Sequence, residues 1–134
     1  MITEDYVSFE TAKLLKEKGF DEQLCHFYTK KGLPIIYKTD KGVVWANNSK
    51  SEHAIVQPTL QMAMKWLREE KEIVIVIKPY PNEDGFCYVY EIKKLIGRDD
   101  FFIRKVASVE NKAGFDSYED ACEAAIQYCL KHLI

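Results

Sequence analysis

The chain has 134 residues, of which 47% are hydrophobic and 13% aromatic, and its formal net charge is −2. A chain of this length can bury roughly two-thirds of its unfolded surface in one domain, and the composition is sufficient for a packed core. The segment before Pro58 has 8 Lys+Arg against 8 Asp+Glu, and the rest has 11 against 13. Neither half is therefore a basic module of the kind that binds phosphates.

No apolar run approaches the ~20 residues that a membrane-spanning helix needs. The first ten residues, "MITEDYVSFE", have neither the basic nor the apolar region of a signal peptide. We therefore expect a cytoplasmic protein, in which the four cysteines stay reduced.

The first half predicts one helix followed by short strands. A helix is predicted over "SFETAKLLKEKGF", with Ser8 as its N-cap and Gly19 as its C-terminal stop. The runs "CHFYT", "LPIIYK" and "VVWA" are rich in β-forming residues, and the loops "KKG" and "TDKG" place Gly where a hairpin needs positive φ. After the polar loop "ANNSKSEH", "AIVQ" predicts a short strand before Pro58.

The second half predicts a helix, three strands and a last helix. Thr59 caps the helix "PTLQMAMKWLREEK". Five consecutive β-branched residues, from Ile73 to Ile77, predict a strand covered on both faces. "FCYVYEIKK" and "FFIRKV" follow as strands, and either Ser117 with Asp120 or Asp116 with Glu119 caps the last helix.

The predicted order is α-βββ(β)-α-βββ-α, an α+β fold with a largely antiparallel sheet and about three helices, mainly on one face. We expect residues 1–134 to form a single domain, which could divide into sub-units 1–57 and 58–134. The order from Thr59 onward matches a double-stranded RNA-binding domain, but the last helix begins with the acidic "SYEDACEA" where those domains are basic. Function does not follow from this topology.

The last helix raises the question of a thiol or metal site. At 100° per residue, Cys122 and Cys129 fall centrally in its apolar sector. A structural zinc site needs four ligands, whereas here only Cys129 and His132 are close in sequence. We therefore predict core thiols, with no metal and no cofactor.

No arrangement of residues predicts catalysis. Cys25 and His26 are adjacent in a predicted strand, so their side chains point to opposite faces and cannot form a dyad. The chain contains no P-loop, G-x-G-x-x-G or G-x-S-x-G sequence. We predict a protein that is not an enzyme and assign it no catalytic residue.

Two sets of residues are candidates for binding. The apolar arc of the second helix covers about 200°, wider than a surface helix usually shows. Either both its flanks are buried within the monomer, which we slightly favour, or the flank with Met62 and Trp66 is a partner interface.

The other set is an aromatic strand face, which could bind single-stranded nucleic acid by stacking. Phe86, Tyr88 and Tyr90 alternate along one strand, and the basic residues around them are Lys93, Lys94, Arg104 and Lys105. The competing interpretation, which we favour, is that these aromatic side chains form ordinary core under the helices.

Three stretches together, "VSFETAKLLKEKGFDE" (7–22), "PTLQMAMKWLRE" (58–69) and "SYEDACEAAIQYCLKHLI" (117–134), resemble a family of small uncharacterised bacterial proteins. That family occurs in gut anaerobes and in their prophages and other mobile elements. The resemblance implies a cytoplasmic, phage-associated setting outside central metabolism, and it supplies no functional residues. Residues 23–57 and 78–116 are outside the resemblance.

The leading hypothesis is a non-enzymatic accessory protein that binds another macromolecule, either a protein partner or a second copy of itself. The alternative is a nucleic-acid-binding module that uses Tyr88, Tyr90, Lys93 and Arg104.

Overall fold

The computed structural model describes residues 1–50, 54–96, 102–108 and 114–134, with the backbone alone for residues 96 and 102–108. Three helices and antiparallel strands in these residues confirm the predicted α+β class. The chain divides into two compact units, Met1–Gln61 and Met62–Ile134. That the two units form a single domain stays a prediction. None of the helices within the described residues is long and apolar enough to cross a membrane.

The first unit contains one helix and five short strands. They are α1 (Phe9–Glu17), β1 (His26–Thr29), β2 (Pro34–Ile36), β3 (Lys38–Thr39), β4 (Gly42–Val43) and β5 (Ala54–Val56). One antiparallel sheet has the order β2-β1-β5, and β3 and β4 form a separate two-stranded sheet. Of the strand predicted over "VVWA", only its first residue, Val43, belongs to β4, because the pairing with β3 involves only Gly42 and Val43.

Helix α1 begins and ends where the sequence predicts. The Ser8 hydroxyl accepts a hydrogen bond from the Thr11 amide at 3.2 Å. Gly19 follows the helix with φ 94°, a conformation that glycine adopts without steric cost. Ala12 and Leu15 are fully buried, and they belong to a core with Val7, Phe20, Phe27 and Val56.

The polar loop before β5 is held by one buried amide side chain. Asn48 donates from Nδ2 to the Phe20 carbonyl at 2.7 Å and accepts at Oδ1 from the Val56 amide at 3.0 Å. Beside it, Asp21 accepts from the Ser49 amide at 2.8 Å, and this bond lowers the pKa of the Asp21 carboxyl. Asn48 therefore joins the end of α1 to β5 and satisfies two backbone groups that water does not reach.

The second unit is built on a three-stranded sheet. Its elements are α2 (Leu60–Lys71), which begins two residues before the unit boundary, β6 (Ile73–Asn82), β7 (Gly85–Ile96), β8 (Phe102–Ser108) and α3 (Tyr118–His132). The sheet order is β6-β7-β8, antiparallel throughout, and α3 packs against β6 and β7. Of the two predicted caps, Ser117 is the one used, accepting from the Asp120 amide at 3.0 Å.

Strand β6 is less buried than its apolar run predicts. Ile73 is buried, but the four residues from Val74 to Ile77 are only half-buried, because β6 is an edge strand of its sheet. Beyond Ile73 both faces of the predicted run are thus partly covered, less fully than the prediction of cover on both faces implied. Pro79 and Pro81, later in β6, pair with Tyr88 and Phe86 of β7.

The segment before α3 lies directly against β7. Phe115 and Tyr88 exchange two backbone hydrogen bonds, at 2.8 and 2.7 Å. Gly114 approaches so closely that a Cβ there would overlap Cys87 Sγ. Only glycine fits at this position, and it places α3 on the sheet.

We expect Asn48→Ala to lower the free energy of unfolding by about 2 kcal/mol, because it removes the hydrogen bonds that Asn48 makes to the buried Phe20 carbonyl and the buried Val56 amide. Urea denaturation followed by circular dichroism measures this loss. Asn47→Ala is the matched control in the same loop, with an expected loss below about 1 kcal/mol. Asn47→Ala removes one exposed hydrogen bond, which Asn47 donates to the Asp21 carboxylate at 3.3 Å. It also removes an Oδ1 atom that has no partner among the described residues. Equal losses in the two variants would contradict the role given to Asn48.

Candidate interaction surfaces

The two cysteines of α3 are core residues, as predicted. Cys122 and Cys129 are both 0% exposed. Burial raises the pKa of the Cys129 thiol to about 12, because a thiolate is poorly solvated there. Cys87 is also buried, and Cys25 is half-buried. In the described part of the chain, no three His, Cys, Asp or Glu residues are grouped as metal ligands.

His26 is associated with a tyrosine, not with Cys25. The rings of Tyr6 and His26 stack with centroids 4.7 Å apart, and Tyr6 Oη lies 3.3 Å from His26 Nε2. This contact fastens the N-terminal segment to β1. The pair is a packing contact with one hydrogen bond, and it brings together no nucleophile and base.

The two residues proposed as a partner interface on α2 have different environments. Trp66 is 8% exposed, and Lys71 Nζ lies 5.4 Å from the centre of its ring. Met62 is 37% exposed. Of this pair, only Met62 offers surface to a partner, while Trp66 contributes to the core.

The aromatic strand face is mostly covered by α3. Tyr90 is 7% exposed, and its ring centroid lies 6.0 Å from that of Phe115 and 6.5 Å from that of Tyr128. Tyr88 is half-buried and contacts Tyr118 edge-on at 6.0 Å. Phe86, at the end of the row, is the exposed member. Tyr90 is therefore closed off from any base that would stack on it.

One of the basic residues proposed for the same face, Lys93, lies on the opposite face of β7 from Tyr90. Lys93 forms a 3.7 Å ion pair with Glu91, which also pairs with Lys78 at 3.1 Å. Side chains alternate along a strand, so Lys93 and Tyr90 belong to opposite faces of β7. The side chains of Arg104 and Lys105 lie outside the described residues, although the backbone pairs Arg104 with Lys94.

A different apolar surface lies on the first unit, around the β3–β4 hairpin. Eleven large apolar side chains are exposed in the described residues, and five of them fall within residues 33–45. Scattered apolar side chains are normal on a protein surface, but such a concentration in 13 residues is not. We call these five the hairpin surface: Leu33 (61% exposed), Ile36 (44%), Tyr37 (45%), Val43 (42%) and Trp45 (56%).

The hairpin register places most of the surface on one face. Val43 lies opposite Lys38, and the Val44 amide donates to the Tyr37 carbonyl at 2.9 Å, so pairing continues beyond β3 and β4. Because side chains alternate, Ile36 and Lys38 share one face with Val43 and Trp45. Tyr37 points the other way, where its ring lies 5.4 Å from that of Phe27.

The hairpin is fixed at both ends. At the base, Ile36 pairs with His26 in one arm and Ala46 with Leu24 in the other, the latter by two hydrogen bonds of 2.8 and 2.9 Å. At the tip, Gly42 follows the turn with φ 112°, which the predicted "TDKG" turn requires. The exposed face is therefore carried by a folded hairpin and not by an irregular loop.

Lysines surround the hairpin surface. Residues 29–46 contain Lys30, Lys31, Lys38 and Lys41 against a single acid, Asp40, for a net charge of +3. The remaining residues have 15 Lys+Arg against 20 Asp+Glu, for a net charge of −5. All four lysines are exposed, and within the described residues none of their ammonium groups forms an ion pair. The surface thus combines apolar side chains with unneutralised positive charge.

Sequence reasoning identified the strands of this hairpin but not its surface. Over the half of the chain before Pro58, the acids outside residues 29–46 cancel the local excess of lysine. The excess is visible only over the short stretch 29–46. The outward direction of Ile36 and Trp45 depends on the register, which the sequence leaves open.

Comparison of the chain with protein-family models, with curated proteins and with solved structures gives no match.

We expect Ellman's reagent to modify one thiol of the folded protein faster than the others. Cys25 is half-buried, whereas the other three cysteines are buried and react only when the structure opens. Absorbance at neutral pH follows the release of the chromophore. Cys25→Ser should remove the fast phase, and Cys129→Ser, as its matched control, should retain it. Four equal rates in the folded protein would contradict the burial of Cys122 and Cys129.

Stability should fall at alkaline pH. The pKa of Cys129 is raised from 9.0 to about 12, and burial together with Tyr128 and Cys129 raises that of Tyr90. Since the unfolded thiol loses its proton first, the free energy of unfolding decreases as pH rises from 9.0 toward 12. Urea midpoints measured at about pH 8 and about pH 10.5 test this, and Cys129→Ala should reduce the difference. Equal pH dependence in wild type and variant would refute it.

Proposed function

We propose that the protein is a non-enzymatic accessory protein that binds another protein through the hairpin surface. The observation that supports this most is the exposure of Ile36, Val43 and Trp45 on one face of a hairpin whose register is fixed. Removing such side chains from water on binding is worth roughly 25 cal/mol per Å² of apolar area. Trp and Tyr are also enriched at protein interfaces.

A protein partner suits this surface better than a nucleic acid does. Three of its five side chains, Leu33, Ile36 and Val43, are aliphatic and offer no planar ring on which a base can stack. One of the two aromatic side chains, Tyr37, already contacts Phe27. Aliphatic side chains beside an exposed Trp are typical of a protein interface, where they pack against apolar groups of the partner.

In this proposal the partner interface is the hairpin surface and not the flank of α2 that the sequence suggested. Met62 is exposed and could extend an interface, but Trp66 is in the core and does not take part. We further propose a cytoplasmic protein of a bacterial mobile element, on the resemblance of residues 7–22, 58–69 and 117–134 to that family. The absence of a recognisable catalytic sequence motif is consistent with an accessory role.

We expect Trp45→Ser to weaken partner binding at least tenfold, since truncating a central interface Trp costs about 2 kcal/mol or more. Trp45 is exposed, so the circular dichroism spectrum and the urea midpoint should stay unchanged. Phe86→Ser is the matched control, an aromatic of similar exposure on the second unit. Proteins retained from nuclease-treated bacterial lysate by wild type and by Phe86→Ser, but not by Trp45→Ser, would be purified and titrated directly.

Direct binding that depends on Trp45 supports the proposal. Retention that is equal in all three proteins contradicts it. Loss of binding after nuclease treatment would favour the nucleic-acid alternative instead. Sedimentation velocity of the purified protein, with and without Trp45→Ser, tells whether the partner is a second copy.

A further inference from the structure

We infer that the segment bound by the hairpin surface is an acidic, amphipathic peptide segment of another protein; this rests on the function proposed above. Four exposed lysines border the surface: Lys30, Lys31, Lys38 and Lys41. Among the described residues no carboxylate pairs with them. Their charge is available to a partner and opposite in sign to Asp and Glu.

The positions of the lysines match those of the apolar side chains. Lys38 is the cross-strand neighbour of Val43, and such side chains have Cβ atoms about 4.5–5.5 Å apart. At the other end, Lys30 and Lys31 precede Leu33 in the β1–β2 turn. A segment that packs an apolar side chain on Val43 therefore brings its neighbouring residues within reach of the Lys38 ammonium group. Carboxylates at those positions would be neutralised.

The length of the surface sets the size of the segment. Leu33 and Thr39 are separated by six residues of mostly extended chain, which corresponds to about 20 Å at ~3.3 Å per residue. About six residues of an extended peptide, or about 13 residues of a helix at ~1.5 Å each, cover that distance. A short acidic stretch with interspersed apolar residues is therefore sufficient.

The charge of the rest of the chain also favours an acidic partner over a basic one. Residues outside 29–46 carry a net charge of −5, so the positive field of the hairpin is local. A basic partner would be attracted to the remainder of the chain and repelled by the hairpin. An acidic segment would be attracted to the hairpin.

The experiment is a selection from a displayed library of random 16-residue peptides on the immobilised full-length protein, with counter-selection on Trp45→Ser. We expect the Trp45-dependent peptides to be enriched in Asp and Glu next to Leu, Phe or Trp. Ile36→Ser provides a second counter-selection, in case Trp45→Ser alters the hairpin. A fluorescein-labelled deoxythymidine 20-mer, titrated by anisotropy, tests the nucleic-acid alternative on the same proteins.

The selected peptides are then titrated against the double variant Lys38→Gln/Lys41→Gln. We expect binding about tenfold weaker than that of wild type and a smaller loss of affinity on adding salt, because salt screens the ion pairs that these two lysines form. Lys65→Gln/Lys131→Gln, two exposed lysines of the second unit, is the matched control and should bind as wild type does.

The outcomes separate this inference from the proposed function. Trp45-dependent peptides without acidic enrichment, or with equal affinity for Lys38→Gln/Lys41→Gln, would overturn the acidic partner and leave protein binding intact. If no Trp45-dependent peptide is selected, the proposed function itself fails. Trp45-dependent binding of the 20-mer, tighter than that of any selected peptide, would overturn both in favour of single-stranded nucleic acid.

Discussion

The contact between Tyr37 and Phe27 determines what the first unit shows to solvent. A two-stranded hairpin has two faces, and this contact places one of them against the buried core residue Phe27. On the other face, Ile36, Val43 and Trp45 are between 42% and 56% exposed. Side-chain alternation then places Ile36, Val43 and Trp45 outward together. The exposed surface is a geometric consequence of anchoring a narrow hairpin on one side.

In the second unit the same alternation has the opposite result, because a helix covers the aromatic face. Phe115 is hydrogen-bonded to Tyr88 through the backbone, and Gly114 allows the chain to approach Cys87. Helix α3, which begins three residues later, therefore packs on β7. Tyr90 is buried as a result, while Phe86, at the end of the strand, remains exposed. Aromatic periodicity in a sequence is therefore ambiguous, and only the position of the next element decides between core and surface.

Elements determined by local chemistry could be predicted from the sequence. The Ser8 and Ser117 caps, the glycine turns and the buried Cys122 and Cys129 depend on neighbouring residues or on one helical period. Features that depend on pairing between distant segments could not be predicted. The edge position of β6 and the outward face of the hairpin follow from which strands pair and in what register, and many pairings suit the same short β-rich runs.

The two prolines of β6 limit how this protein can associate through its sheets. The Tyr88 amide donates to Phe115, on the side away from β6, so the pairing of Tyr88 with Pro79 uses no amide of β6. The missing N–H groups of Pro79 and Pro81 thus fall on the outer edge of the strand, where an incoming strand would need donors. Growth of a continuous intermolecular β-sheet is blocked along that half of β6. The β-branched run from Ile73 to Ile77 therefore belongs to an edge strand that cannot pair with another molecule along its full length.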